Sequence, residues 1–274
     1  MSKVCILTDN AAQFTRSGFI GESFVKKISF DSFSLSDRSK QSGLISHSIP
    51  EKYQTLSPQE FLNIYNSLSK EFDGIMVITQ TASLSQTAQS ASEAKEKYAG
   101  RAHVQVIDSQ TTSIGLGLLV QTAAKSAEEG ADLIMIERVI RSALKRIYTM
   151  FCIPDLTYLS KAHYLSHSQA IVGEMLGLFP MYTLEDGKLS PMSKVRTQRH
   201  LQESFQEFVE EFTQPAQIGL SKSVMATYFK TKPFRQYLNE KYHGVPYTEQ
   251  DISPILASIL GPQCTGLFIM DSQE

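Results

Sequence analysis

The sequence predicts an α/β protein of two domains: an N-terminal α/β/α domain on a parallel sheet, residues 1–149, and a C-terminal α+β domain with a mostly antiparallel sheet, residues 150–274. Three observations predict it. Short apolar runs alternate with helix-period segments through the first half. Each of the runs Val4–Leu7, Gly74–Ile78 and Val104–Ile107 ends in polar residues: Thr8-Asp9, Thr79-Gln80-Thr81, and Asp108-Ser109. In the second half, Asp186-Gly187 sits between two strand-like runs and signals a hairpin.

Val4–Leu7 reads as a buried strand, and a second is expected over Phe24–Phe30. Residues 31–56 read as an irregular connection. Ser57-Pro58-Gln59-Glu60 carries a capping-box start with proline in the first turn, and the helix it opens buries Phe61, Ile64, Tyr65, Leu68 and Phe72. After the Gly74–Ile78 strand, Leu84, Ala88, Ala91, Ala94 and Tyr98 recur at helical spacing. The hydroxyl-rich stretch Thr79–Ala91 therefore lies at a strand-to-helix turn, where unpaired N–H groups and the helix dipole favour an anion. Its hydroxyls fit two roles equally: a head-group site, or simple capping, with Ser83 and Gln86 as a capping box.

Further helices are expected over Thr112–Glu128 and over Asp132–Ile147, the latter burying Leu133, Ile136, Ile140, Ala143, Leu144 and Ile147. Parallel pairing through right-handed crossovers would bring Asp9, Thr79–Ser83 and Asp108-Ser109 to one sheet edge, where ligands bind in such folds. In the second half a strand is expected at Met150–Ile153, a helical turn at Leu156–Lys161, and a helix over Ala170–Leu178 packed through Ile171, Met175 and Leu176. The hairpin joins Met181–Leu184 to Leu189–Val195. A helix through Leu201, Phe205, Phe208, Val209 and Phe212, a strand near Gln217–Leu220, a helix toward Tyr242 and a strand at Leu267–Met270 complete the pattern.

Composition narrows the function classes. The 274 residues carry 26 basic and 28 acidic side chains, a formal charge of −2, so no global pull toward nucleic acid is expected. No apolar run approaches the roughly 18 residues of a membrane span, so no stable membrane insertion is expected. Met1-Ser2-Lys3-Val4 lacks a signal-peptide pattern, and Cys5, Cys152 and Cys264 lack metal-ligand spacing; a reduced, cytoplasmic setting is expected. His163 and His167, four apart, have no third ligand at a persuasive spacing, so no metal is expected. Gly115-Leu116-Gly117 lies inside a helix and reads as close packing rather than a nucleotide fingerprint. No P-loop lysine, Cys-X-X-Cys or nucleophile elbow is present, and no catalytic residue is assigned.

In order and spacing, Leu7-Thr8-Asp9-Asn10-Ala11-Ala12, Ser57-Pro58-Gln59-Glu60-Phe61, Leu84–Ala91, Ile107-Asp108-Ser109-Gln110 with Gly115 and Gly117, Leu156-Thr157-Tyr158-Leu159, Asp186-Gly187-Lys188, Lys194-Val195-Arg196-Thr197 and Gly261-Pro262 resemble the DegV family of bacterial fatty-acid-binding proteins. The resemblance covers essentially the whole chain. It implies a carrier, not an enzyme, that needs no cofactor and holds one long-chain fatty acid in a cavity between or beneath the domains while a partner fatty acid kinase phosphorylates it. It places the ligand-binding positions at Thr81 and Ala82, where the family has paired serines, with Ser85 and Thr87 in support and Asp9 at the neighbouring strand end. Tyr53 stands for an upstream threonine, Ile259 for a histidine, Gln86 for a glycine, and Ala162-His163-Tyr164 for Gly-Gly-Arg. Arg196 is the partner-binding candidate. Two alternatives stay open: a divergent paralogue that binds no lipid and serves an interaction role, and an enzyme using Asp9 and Asp108 on a small anionic substrate.

Overall fold

The structure is a computed structural model and describes residues 3–28 and 55–272. Two sheets organise it. The first has the order β2-β1-β3-β4, all parallel, from β1 (Val4–Asp9), β2 (Val25–Ile28), β3 (Gly74–Thr79) and β4 (His103–Asp108). One face carries α1 (Pro58–Leu68) and α2 (Thr87–Lys97), burying Phe61, Tyr65, Ala91 and Ala94 against Leu7, Ile75 and Val77. The opposite face carries α3 (Ser113–Glu128) and α4 (Leu133–Leu144), whose Leu116, Leu119, Ile136 and Ile140 pack on Ile6, Met76 and Ile78. Alternate side chains of each strand thus feed opposite cores.

The second sheet is mixed, with the order β7-β6-β5-β10-β8-β9. Its strands are β5 (Ile147–Cys152), β6 (Phe179–Glu185), β7 (Lys188–Val195), β8 (Pro215–Lys222), β9 (Tyr247–Gln250) and β10 (Thr265–Asp271). All pairs are antiparallel except β8 with β9. Around it lie α5 (Leu156–Lys161), α6 (His167–Met175), α7 (Gln198–Glu210), α8 (Thr231–Lys241) and α9 (Pro254–Leu260). Phe205, Phe208, Phe229 and Phe234 fill the core on the α7/α8 face.

The capping box at α1 is present, with Glu60 N–H donating to Ser57 Oγ and Glu60 accepting from Ser57 N–H. Phe61, Tyr65 and Phe72 are buried there, while Ile64 and Leu68 are half-buried. Close packing of the glycine pair in α3 also holds: a Cβ on Gly117 would overlap the Gln13 carbonyl oxygen.

Several expectations need correction. The helix expected to run to Ile147 ends at Leu144, and Ile147 opens β5 opposite Met270. Of the run expected as a strand over Phe24–Phe30, Val25–Ile28 form β2, Phe24 ends a 3-10 turn, and residues 29 and 30 lie outside the described residues. The helix expected over Ala170–Leu178 is α6, and it faces inward with Ala170 and Gly173, leaving Ile171, Met175 and Leu176 exposed. Gly173 lets this face approach Leu156 closely, where a Cβ would make the leucine side chain shift. The strand β9 and the helix α9 were not anticipated. His163 sits at φ 62 between α5 and α6, so it shares no helical face with His167. Among the described residues no group of three or more His, Cys, Asp or Glu side chains is arranged to hold a metal, and no helix is long and apolar enough to cross a membrane.

A Gly117→Ala substitution is expected to destabilise the fold by about 2–3 kcal/mol, because the new methyl meets rigid backbone rather than a side chain that can move. Urea unfolding of the two proteins checks this, and equal midpoints would contradict the packing.

Candidate functional site

The carboxyl ends of β1, β3 and β4 meet as the sequence pattern predicts. Asp9 is fully buried; its Oδ2 accepts from Gln80 N–H at 3.0 Å and its Oδ1 from Ala11 N–H at 2.9 Å. On the other side of β3, Asp108 Oδ2 accepts from Ala82 N–H at 3.1 Å and Oδ1 from Gln110 N–H at 2.9 Å. Between them, Thr81 N–H donates to the Thr111 carbonyl at 2.8 Å. The N–H groups of residues 80, 81 and 82 are therefore all engaged. The expectation of free backbone donors fails for these three positions, because two carboxylates and a carbonyl reach them first.

Beside these engaged donors the turn carries a group of hydroxyls. Thr81, 1% exposed, donates through Oγ1 to the Gly187 carbonyl at 2.6 Å, and Ser83 donates to the same oxygen at 2.5 Å. Gly187 lies at the tip of the β6–β7 hairpin, so one carbonyl of the second sheet meets two hydroxyls of the first domain. Tyr164 adds a bond across the same seam, from its hydroxyl to the Ser83 carbonyl at 3.1 Å. Ser85 and Thr87 share a hydroxyl pair at 2.6 Å, and Ser85 Oγ accepts from Thr87 N–H. The anticipated Ser83/Gln86 capping box does not form: α2 starts at Thr87, and its N-cap Gln86 makes no side-chain cap bond.

Beside the turn runs an apolar seam between the two sheets. Ile114 and Leu118 of α3 meet Phe151, Leu256, Leu260 and Phe268, and Leu84, Leu184 and Tyr164 pack against that cluster from the turn and hairpin side. Ile259 is half-buried and touches both this cluster and the α3/α4 core.

The structure thus brings Thr81, Ala82, Ser85 and Thr87 onto one turn with Asp9 beneath, although Ala82 is exposed. Arg196 is exposed just beyond β7, away from these contacts. Tyr53 lies outside the described residues. Sequence reasoning placed Ser83 at the convergent strand ends and left its hydroxyl between capping and head-group roles, and it missed the Gly187 carbonyl; the Asp-Gly signal located the hairpin but not what its tip touches.

Burial raises the Asp9 pKa from 3.8 to about 6, against the lowering effect of the two N–H bonds and of the Lys27 ammonium. The folded chain then keeps a proton that the unfolded chain releases between those two values. Raising the pH from about 4 to about 6 should lower stability through this group by about 2–3 kcal/mol, with no further loss above that window. Asp9→Asn should remove this component; urea midpoints taken from pH 4 to pH 7 compare the two slopes, and identical slopes would contradict it.

A family model described as "Uncharacterised protein, DegV family" matches residues 20–272. A DegV domain-containing protein of Caldanaerobacter subterraneus subsp. tengcongensis is 36% identical over 143 residues, 52% of this chain and 51% of the relative, so the match spans about half of that protein. Two solved structures share the fold: a fatty acid binding DegV family protein of Streptococcus agalactiae, at TM-score 0.81 and 20% identity with all of both chains covered, and the Streptococcus pneumoniae fatty acid kinase (Fak) B3 protein loaded with linoleic acid, at TM-score 0.78 and 16% identity, covering 99% of this chain and 100% of that one. With the family model matching residues 20–272, the chain belongs to the DegV family.

Proposed function

We propose that this protein is a carrier that binds one long-chain fatty acid between the two domains expected at 1–149 and 150–274, with the carboxyl group at the Thr81–Thr87 turn. The observation that carries the reading is the pair of hydroxyls, Thr81 and Ser83, held beside a buried apolar cluster of Phe151 and Phe268 against which Leu84 and Leu184 pack. A methylene moved from water into such a seam gains about 0.8 kcal/mol, so a long acyl chain supplies most of the affinity. The head group then has to be oriented rather than strongly attracted. The fatty-acid-binding S. agalactiae protein and the linoleate-loaded S. pneumoniae protein, which share this fold, support the same ligand class. The carrier acts in the cytoplasm, with a fatty acid kinase as partner and exposed Arg196 as a contact.

The enzyme reading is less well supported. Asp9 and Asp108 each engage both carboxylate oxygens with backbone N–H groups, which suits positioning rather than proton transfer. A paralogue with an interaction role keeps one observation in its favour: the Thr81 and Ser83 hydroxyls are already satisfied by Gly187.

Native mass spectrometry separates the readings. A carrier is expected to copurify with, or take up, one oleate per chain; no bound fatty acid and no exchange with added oleate would overturn the proposal. Thr81→Val should weaken oleate binding by about 1 kcal/mol, roughly fivefold, the net value of a bond exchanged rather than created. For the partner, Arg196→Glu should abolish pull-down of the kinase while oleate uptake persists, and undiminished pull-down would remove Arg196 from the interface.

A further inference from the structure

Gly187 holds the two hydroxyls in an arrangement that a fatty acid would have to break. A hydroxyl has one proton to donate. While Thr81 and Ser83 both donate to the Gly187 carbonyl, neither has a proton for a carboxylate, and the N–H groups of residues 80–82 are engaged elsewhere. The carbonyl oxygen thus stands where a head-group oxygen would stand, within reach of two hydroxyl donors at the edge of the apolar seam.

The hairpin geometry fits this role. Asp186 and Gly187 both take positive φ, 48° and 77°, and close the turn beyond the Glu185–Lys188 pair. The tip seats in a cradle: a Cβ on Gly187 would lie 2.7 Å from Thr81 Oγ1 and 3.1 Å from Gln110 Cα. Strand β7 is the edge of its sheet, so the outer side of the hairpin has no ladder to break if the tip moves.

We propose that the tip of the β6–β7 hairpin is a displaceable plug, its Gly187 carbonyl standing in for the head-group oxygen until a fatty acid displaces it. This rests on the fatty-acid-binding reading above. It makes head-group recognition an exchange of acceptors, so that chain burial decides affinity and tip release gates entry.

The test uses the delipidated full-length chain and cis-parinaric acid, a fluorescent fatty acid, in stopped flow. With a plug, the observed association rate of the wild-type protein levels off as probe concentration rises, because tip release becomes limiting. Gly187→Ala, whose Cβ cannot seat in the cradle, should associate about tenfold faster at saturating probe and bind at least about fivefold more tightly, as removal of a competing closed state requires. A folded Gly187→Ala protein that binds more weakly, or at an unchanged rate, overturns the plug. Hydrogen exchange on the wild-type chain gives a second measurement should that variant fail to fold. The probe should speed exchange at residues 184–189 while slowing it at Leu256–Leu260. Slowing at both overturns the plug and leaves fatty acid binding intact, whereas no probe binding at all overturns both.

Discussion

The site depends on a pair of carboxylates that hold the backbone after β3 from both sides. The sheet order β2-β1-β3-β4 makes this inevitable once Asp9 and Asp108 end their strands, because β3 runs between β1 and β4 and its exit passes between the two acids. Burying a carboxylate is unfavourable unless donors meet it. Asp9 receives two N–H bonds and still has its pKa raised, so the turn is held at a residual electrostatic cost in the core. The gain is positional: three successive N–H groups fix the backbone at residues 80–82, and the Gly187 carbonyl then receives the Thr81 and Ser83 hydroxyls.

Negative charge under the turn and engaged N–H groups also change what the site can recognise. At residues 80–82 the backbone donors that would attract a carboxylate by charge are taken, and the turn adds neutral hydroxyls above two acids. The residue at Ile259 is consistent with that balance. Where the family resemblance implies a histidine, this chain packs an aliphatic side chain against both the seam and the α3/α4 core. On the carrier reading proposed above, apolar contact thus stands where a polar head-group partner would, leaving more of the affinity to the acyl chain.

Much of the fold was legible because local physics and tertiary structure agree. Ser57 and Glu60 can form their capping box with no help from distant residues, and Asp186-Gly187 adopts the positive φ values that its turn demands. The failures occur where distant packing overrode local periodicity. Ile147 matches the helical face of α4, but pairing with Met270 draws it into β5. Ile171, Met175 and Leu176 read as a buried face, but the small side of α6, Ala170 and Gly173, fits against Leu156 and turns them outward. The short β9 has no apolar run to announce it, and its pairing with β8 is non-local.

The same division applies to the site. Its components on each strand end were readable as polar residues after apolar runs, but the contact that closes it joins Thr81 to a carbonyl 106 residues away. No side chain at Gly187 encodes that contact, so no pattern of residue types points to it. What the sequence does carry is the glycine itself, and here two requirements coincide. The turn needs a residue at φ 77°, and the cradle between Thr81 and Gln110 has no room for a Cβ. Either alone would favour glycine; together they mean that any substitution which disturbs the turn also disturbs the meeting of the two sheets. If the tip is the plug proposed above, hairpin conformation and access to the seam meet at one residue, and the hairpin tip rather than the hydroxyls it covers is the point where a change in backbone conformation becomes a change in binding.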